Sequence, residues 1–180
     1  MSADGSAPAP GSVDIAGALG WARARIELMD ARVLLRFVLQ CPAARLVAWP
    51  EQRLEGEDWS VYRALVERRM AGEPVAYLTG VREFFGREFM ITPAVLIPRP
   101  DTELLVELAL AHCAGRKGLR VLDMGTGSGA LAVTLALELD DADVIALDRS
   151  REALWVAMAN AARLGASVSF VHSDWFAALG

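Results

Sequence analysis

Residues 121–129 read VLDMGTGSG: a short apolar run, an acid at 123, and glycines at 125, 127 and 129. An apolar strand that runs into a glycine loop and then into an apolar helical stretch, here ALAVTLALEL, is the opening unit of a nucleotide- or nucleoside-binding α/β domain. Outward from it, LRVLDM, DVIALD and VSFVHS read as strands. Residues 129–139 and 151–164 read as helices, the second stopped by Gly165. Strand–helix alternation of this kind predicts a parallel sheet with right-handed crossovers. The loop then lies at the carboxyl end of the first strand, with its backbone N–H groups expected to face a bound molecule.

Upstream the texture changes. ELLVELALAHC reads as a helix, with Asp101 as its cap and Glu103 in the favourable first turn. EFFGREFMITPAVLIPRP reads as a hairpin about Gly86-Arg87, and the prolines at 93, 98 and 100 exclude a helix. From Val13 to about Ala71 the pattern is helical. Ala16, Leu19, Ala22 and Ile26 recur at helical spacing, as do Val33, Leu34, Phe37 and Val38. A further helix over about 58–70 carries Val61, Leu65 and Val66, and AGEP stops it. The expected divisions are a tail over 1–12, a helical domain over 13–74, a hairpin linker over 75–100 and an α/β half-domain over 101–180.

Composition narrows the function classes. The chain has 180 residues, 54% hydrophobic and 23% charged, which suits a sizeable apolar core. A net charge of −5 argues against a surface built to wrap nucleic acid. The start, MSADGSAPAPGS, lacks the basic and apolar blocks of a signal peptide, and no apolar run reaches membrane-spanning length. Cys41 and Cys113 have no metal-ligand or redox spacing, so buried thiols in a reducing, bacterial-type cytoplasm are expected, with no metal. A monomer is expected.

Residues 125–130 satisfy the dinucleotide pattern G-x-G-x-x-A, a weak signal alone. Asp123 separates the ligands. A carboxylate two residues before the first glycine repels a pyrophosphate and favours an ammonium or sulfonium group. S-adenosyl-L-methionine carries both cations and no phosphate. Asp148, at the end of the second strand, is placed to accept hydrogen bonds from ribose hydroxyls. An unliganded glycine turn is the bland alternative.

YLTGVREFFGREFMITPAVLIPRPDTELLVELAL, VLDMGTGSGALAVTLA and HSDWF together resemble the peptide chain release factor glutamine methyltransferase family (HemK-type proteins). ARVLLRFVLQ and RLVAWPEQRL are similar to that family's N-terminal domain, so the likeness covers nearly all of 15–180. The resemblance implies a small all-α substrate-recognition domain, a β-hairpin linker and a Rossmann-like methyltransferase domain. It implies S-adenosyl-L-methionine as cofactor and, as substrate, the glutamine side-chain amide of the Gly-Gly-Gln motif in release factors. By the same likeness Gly125, Thr126, Gly127, Ser128 and Gly129 line the methionine and ribose end, beside the Asp123 carboxylate already singled out by its charge; Asp148 binds the ribose, and Trp175 packs near the adenine. Arg99, Asp101 and Glu103 are candidates for the active-site entrance, with capping and surface charge as the competing reading. The family's Asn-Pro-Pro-Tyr signature does not occur in these 180 residues. The expectation is therefore an N-terminal part with no catalytic residue of its own and no methyl transfer by itself. A non-catalytic release-factor-binding module, or an amino methyltransferase acting on another substrate such as nucleic-acid adenine, are the other readings.

Overall fold

The computed structural model describes residues 13–178; the expected tail at 1–12 lies outside them. The chain divides into two compact units, one ending at Thr79 and one beginning at Gly80.

The first unit is helical: α1 (Ile15–Arg23), α2 (Leu28–Leu39), α3 (Ala43–Ala48), α4 (Gly56–Met70) and α5 (Val75–Thr79). The Asp14 carboxylate caps α1 by accepting the Gly17 N–H at 2.7 Å. Helix α4 carries Glu57 and Asp58 in its first turn and Arg68 and Arg69 in its last, the order that its dipole favours. Its buried face is Trp59, Tyr62, Leu65 and Val66, while Val61 is exposed. The buried positions of α1 are Ile15, Ala18 and Ala22, and those of α2 are Ala31, Leu34 and Leu35. Ala16, Val33 and Phe37 face outward, so each stripe lies beside the expected one. Alanines on several faces of these short helices make the apolar period degenerate, and the large rings of Trp59 and Tyr62 outweigh Val61 in buried area. Trp21 and Trp59 meet edge to face at 5.1 Å. Tyr62 donates its hydroxyl to the Ala31 carbonyl at 3.1 Å, and burial pushes its phenol far above the usual range. Helix α5, started by Pro74, was not foreseen from the sequence.

The second unit opens with a hairpin, β1 (Val81–Phe84) and β2 (Arg87–Met90), paired from Val81 with Met90 to Phe84 with Arg87. Its two-residue turn is Phe85-Gly86, one position earlier than expected, with φ of +50° and +70°. Two left-handed residues match the twist of the strands they join. Phe84 and Phe89 are buried edge to face at 6.1 Å. Helix α6 (Asp101–Cys113) follows, and Asp101 does not cap it. Pro100 already has helical angles, and the carbonyls of Arg99 and Pro100 accept the N–H groups of Thr102 and Glu103. Asp101 is simply the first helical residue, where its charge still suits the dipole.

The sheet is parallel, ordered β3-β4-β5, from β3 (Leu119–Met124), β4 (Ala142–Asp148) and β5 (Ser169–His172). Leu119 pairs with Ala142 and Met124 with Leu147, so VLDM lies against VIAL as expected. Helices α7 (Ala130–Glu138) and α8 (Arg151–Leu164) are the crossovers. Ser150 caps α8 by accepting the Ala153 N–H, and Gly165 closes it in the left-handed conformation. The hairpin is fixed to this layer by Glu103 of α6, which accepts the Phe85 N–H at 2.9 Å. Ion pairs of Arg87 with Glu138 of α7 and of Glu88 with Arg163 of α8 hold it further. The observed architecture is α/β, as expected, with the carboxyl ends of β3, β4 and β5 brought together.

Candidate functional site

The loop 125–129 leaves β3 and turns back over β4 before α7 begins. Gly125 and Thr126 both donate their N–H groups to the Leu147 carbonyl, at 2.8 and 3.0 Å. Gly127 donates to Asp148 Oδ2 at 3.0 Å and Gly129 to the Thr126 carbonyl at 2.8 Å. These donors are therefore consumed inside the fold, contrary to the expectation that they face a ligand. The physical reason is the parallel register, which sets the end of β4 beside the loop. A phosphate seeking a nest of free N–H groups would find these four occupied. The positive φ of Gly125 (+86°) and Gly127 (+56°) is what lets the chain double back.

Two cavities open on either side of Gly125. One, about 190 Å³, is lined by Met124, Gly125, Leu147, Asp148, Ser173 and Trp175, among others. Asp148 lines it, with Oδ2 accepting from Gly127 and Oδ1 accepting from Ser150 N–H at 2.9 Å. Each carboxylate oxygen keeps a further lone pair for a hydroxyl donor. Trp175 is 66% exposed and has φ of +50°, an uncommon conformation for a bulky residue. The buried Ser173 stabilises it: its hydroxyl donates to the Trp175 carbonyl at 2.8 Å and accepts the Ala178 N–H at 3.0 Å.

The second cavity, about 200 Å³, is lined by Arg99, Thr102, Asp123, Thr126, Gly127 and Ser128, with Leu96, Ile97 and Pro98 on its wall. Asp123 Oδ2 and Thr126 Oγ1 are buried there, and neither has a hydrogen-bond partner. Burial raises the Asp123 carboxyl above the ordinary range. The nearby Thr126 hydroxyl and Ala132 N–H pull it down and the Asp148 charge pushes it up. A half-buried carboxylate with an orphaned oxygen is costly unless something cationic arrives to pair with it.

The structure thus brings Asp123, Gly125, Thr126, Gly127, Ser128, Asp148 and Trp175 to one cleft, with Arg99 on its wall. Gly129 lines neither cavity; it packs against α8. Asp101 and Glu103 line neither, and Glu103 is committed to the hairpin turn. Ser173 and the Leu96–Pro98 wall were not anticipated. Ser173 could have been suspected from its place between a strand end and Trp175. Among the described residues no group of side chains could hold a metal ion, and no helix is long and apolar enough to cross a membrane. A larger open cleft in the helical unit, about 770 Å³, includes Arg25 and Arg69, but these already engage Trp21 and Asp30.

Asp148→Ala removes an acceptor from both Gly127 and Ser150. It is expected to weaken binding of any nucleoside ligand by about 1–3 kcal/mol, read by titration calorimetry.

Residues 116–180 match the model of a methyltransferase domain, and residues 18–80 match that of the PrmC N-terminal domain. The release factor glutamine methyltransferase of Burkholderia pseudomallei (strain K96243) is 51% identical over 160 residues, covering 86% of this chain and 56% of that protein. The enzyme of the same name from Bordetella pertussis (strain Tohama I) is 52% identical, over 84% and 56%. That from Escherichia coli (strain K12) is 45% identical, over 83% and 54%. The chain carries a PrmC N-terminal domain and a methyltransferase domain and is similar over more than four fifths of its length to release factor glutamine methyltransferases, of which it spans little more than half the length. Among solved structures, a ribosomal protein L11 methylase from Lactobacillus delbrueckii subsp. bulgaricus is 29% identical. It covers 55% of this chain and 50% of that one, with a TM-score of 0.40, too partial an overlap to carry weight.

Proposed function

We propose that the cleft binds S-adenosyl-L-methionine, with its amino-acid end in the Asp123 cavity and its nucleoside in the Asp148–Trp175 cavity. The protein would use it to methylate the side-chain amide of the Gly-Gly-Gln glutamine in peptide chain release factors, which places its work in the cytoplasm. The observation that carries the reading is the buried, unpartnered Asp123 oxygen beside a loop in which the N–H groups of Gly125, Thr126, Gly127 and Gly129 are already used. That pairing welcomes an ammonium group and offers little to a phosphate.

The residues present fit the cofactor. Asp123 would take its ammonium group, with the Thr126 hydroxyl as a second polar partner. Asp148 would accept from ribose hydroxyls with the lone pairs that Gly127 and Ser150 leave free. Trp175 would cover the base by its ring face. When bound, the cofactor supplies a methyl group made electrophilic by the sulfonium. The chain's part is to hold that group still, since oriented attack lowers the barrier for a poor nucleophile such as an amide nitrogen. Release-factor recognition by the helical unit belongs to the same proposal, supported by the family and by the relatives' names.

Calorimetry of this chain against S-adenosylmethionine, S-adenosylhomocysteine and NAD tests the reading. Both sulfur nucleosides should bind, and NAD should bind at least about tenfold more weakly, because two carboxylates oppose its pyrophosphate. Tighter binding of NAD would overturn it.

A further inference from the structure

Asn160 is completely buried on α8 and lines neither cavity. Its side chain nevertheless reaches the site from behind. Oδ1 accepts the Met90 N–H at 2.7 Å, and Nδ2 donates to the Met90 carbonyl at 3.0 Å and to the Ser128 carbonyl at 2.9 Å. Both amide hydrogens are used, on acceptors that belong to different elements, the hairpin and the glycine loop. Only an amide can serve this junction: a carboxylate would turn a negative oxygen toward two carbonyls, and an alkyl group would take the partner from three backbone groups, the Ser128 carbonyl among them in a buried setting.

We propose that Asn160 is a positioning residue for the amino-acid end of the cofactor. It fixes the Ser128 peptide and ties it to Met90, so that the loop and the hairpin move as one body. Ser128 lines the Asp123 cavity and not the nucleoside cavity, so the influence is confined to one end of the ligand. The inference rests on the S-adenosylmethionine reading above.

The experiment compares S-adenosylhomocysteine with 5′-methylthioadenosine, which shares the nucleoside and lacks the amino acid. In Asn160→Asp, affinity for S-adenosylhomocysteine should fall about tenfold or more, while that for methylthioadenosine stays within about threefold. Arg163→Ala, which removes another hairpin attachment to α8, should leave both affinities in place. Equal losses for the two ligands in Asn160→Asp, or no loss for either, overturn the inference and leave the cofactor reading standing. No binding of either ligand to the unaltered chain overturns both. Hydrogen exchange on the unaltered chain gives a readout that does not depend on the variant folding. The Met90 amide, which lines neither cavity, should slow when S-adenosylhomocysteine binds and not when methylthioadenosine binds. Indifference of Met90 to both ligands overturns the proposed tie.

Discussion

Gly129→Val is expected to destabilise the second unit by about 4 kcal/mol, enough to unfold it near room temperature or to lower its urea midpoint steeply. Two independent costs meet at this position. Its φ is +80°, where an L side chain sets its Cβ against the following carbonyl and costs about 1–2 kcal/mol. A Cβ there would also stand 3.0 Å from the Ala157 Cβ, 3.2 Å from the Ala157 Cα and 3.3 Å from Val133 Cγ2. The Cα is backbone within α8 and cannot swing aside, so the loop and α8 must separate, and overpacking of this kind costs about 1–3 kcal/mol. Branching at Cβ places the result at the upper end. Gly125→Ala is the contrast: its φ is +86°, but nothing lies within 4 Å of an added Cβ. It should lose only the backbone cost of about 1–2 kcal/mol. A Gly129→Val chain within about 1 kcal/mol of the unaltered one in urea unfolding would contradict this packing account.

The difference between these two glycines was not readable in the sequence, where they are two members of one motif. The α/β order was readable, because short apolar runs of strand length alternate with longer helix-length stretches from Leu119 to His172. The positions of Asp123 and Asp148 were readable because they depend on spacing along one strand and on the end of the next. What escaped depended on partners far away in the chain. The Leu147 carbonyl and the Asp148 carboxylate take the N–H groups of Gly125, Thr126 and Gly127 across about twenty residues, so donors expected to face a bound molecule turn into the fold instead. Glu103 was considered for the entrance because it sits in the PRPDTE block, yet its oxygen is claimed by Phe85, 18 residues earlier. Asn160 gave one faint signal, a lone amide among Ala153, Leu154, Val156, Ala157 and Ala161 on the buried face of α8. A polar group on such a face has to find partners, but only the folded hairpin and loop say which.

Asp123→Asn should abolish useful cofactor affinity while making the ligand-free chain more stable. The affinity loss is expected to be about 3 kcal/mol, roughly a hundredfold, because the ligand's ammonium would enter a half-buried cavity without its counter-charge. The stability gain follows from the raised pKa of the carboxyl. Since burial disfavours the ionised form, the folded chain binds this proton more tightly than the unfolded chain does. Stability of the unaltered chain therefore falls as pH rises from the ordinary aspartate value through the raised one, and the full penalty persists above that. Asparagine carries no such penalty. The thermal midpoint of Asp123→Asn should exceed that of the unaltered chain at neutral pH, and the difference should close as pH falls to the ordinary aspartate range. Saturating S-adenosylhomocysteine should reverse the order at neutral pH, since it stabilises only the chain that binds it. A residue kept for structure would lose stability on substitution, whereas one kept for a cationic ligand gains it and loses binding. Thermal melts at two pH values, with and without the ligand, distinguish the two. A lower midpoint for the ligand-free Asn variant at neutral pH, with affinity intact, would assign Asp123 to the fold instead of the cofactor.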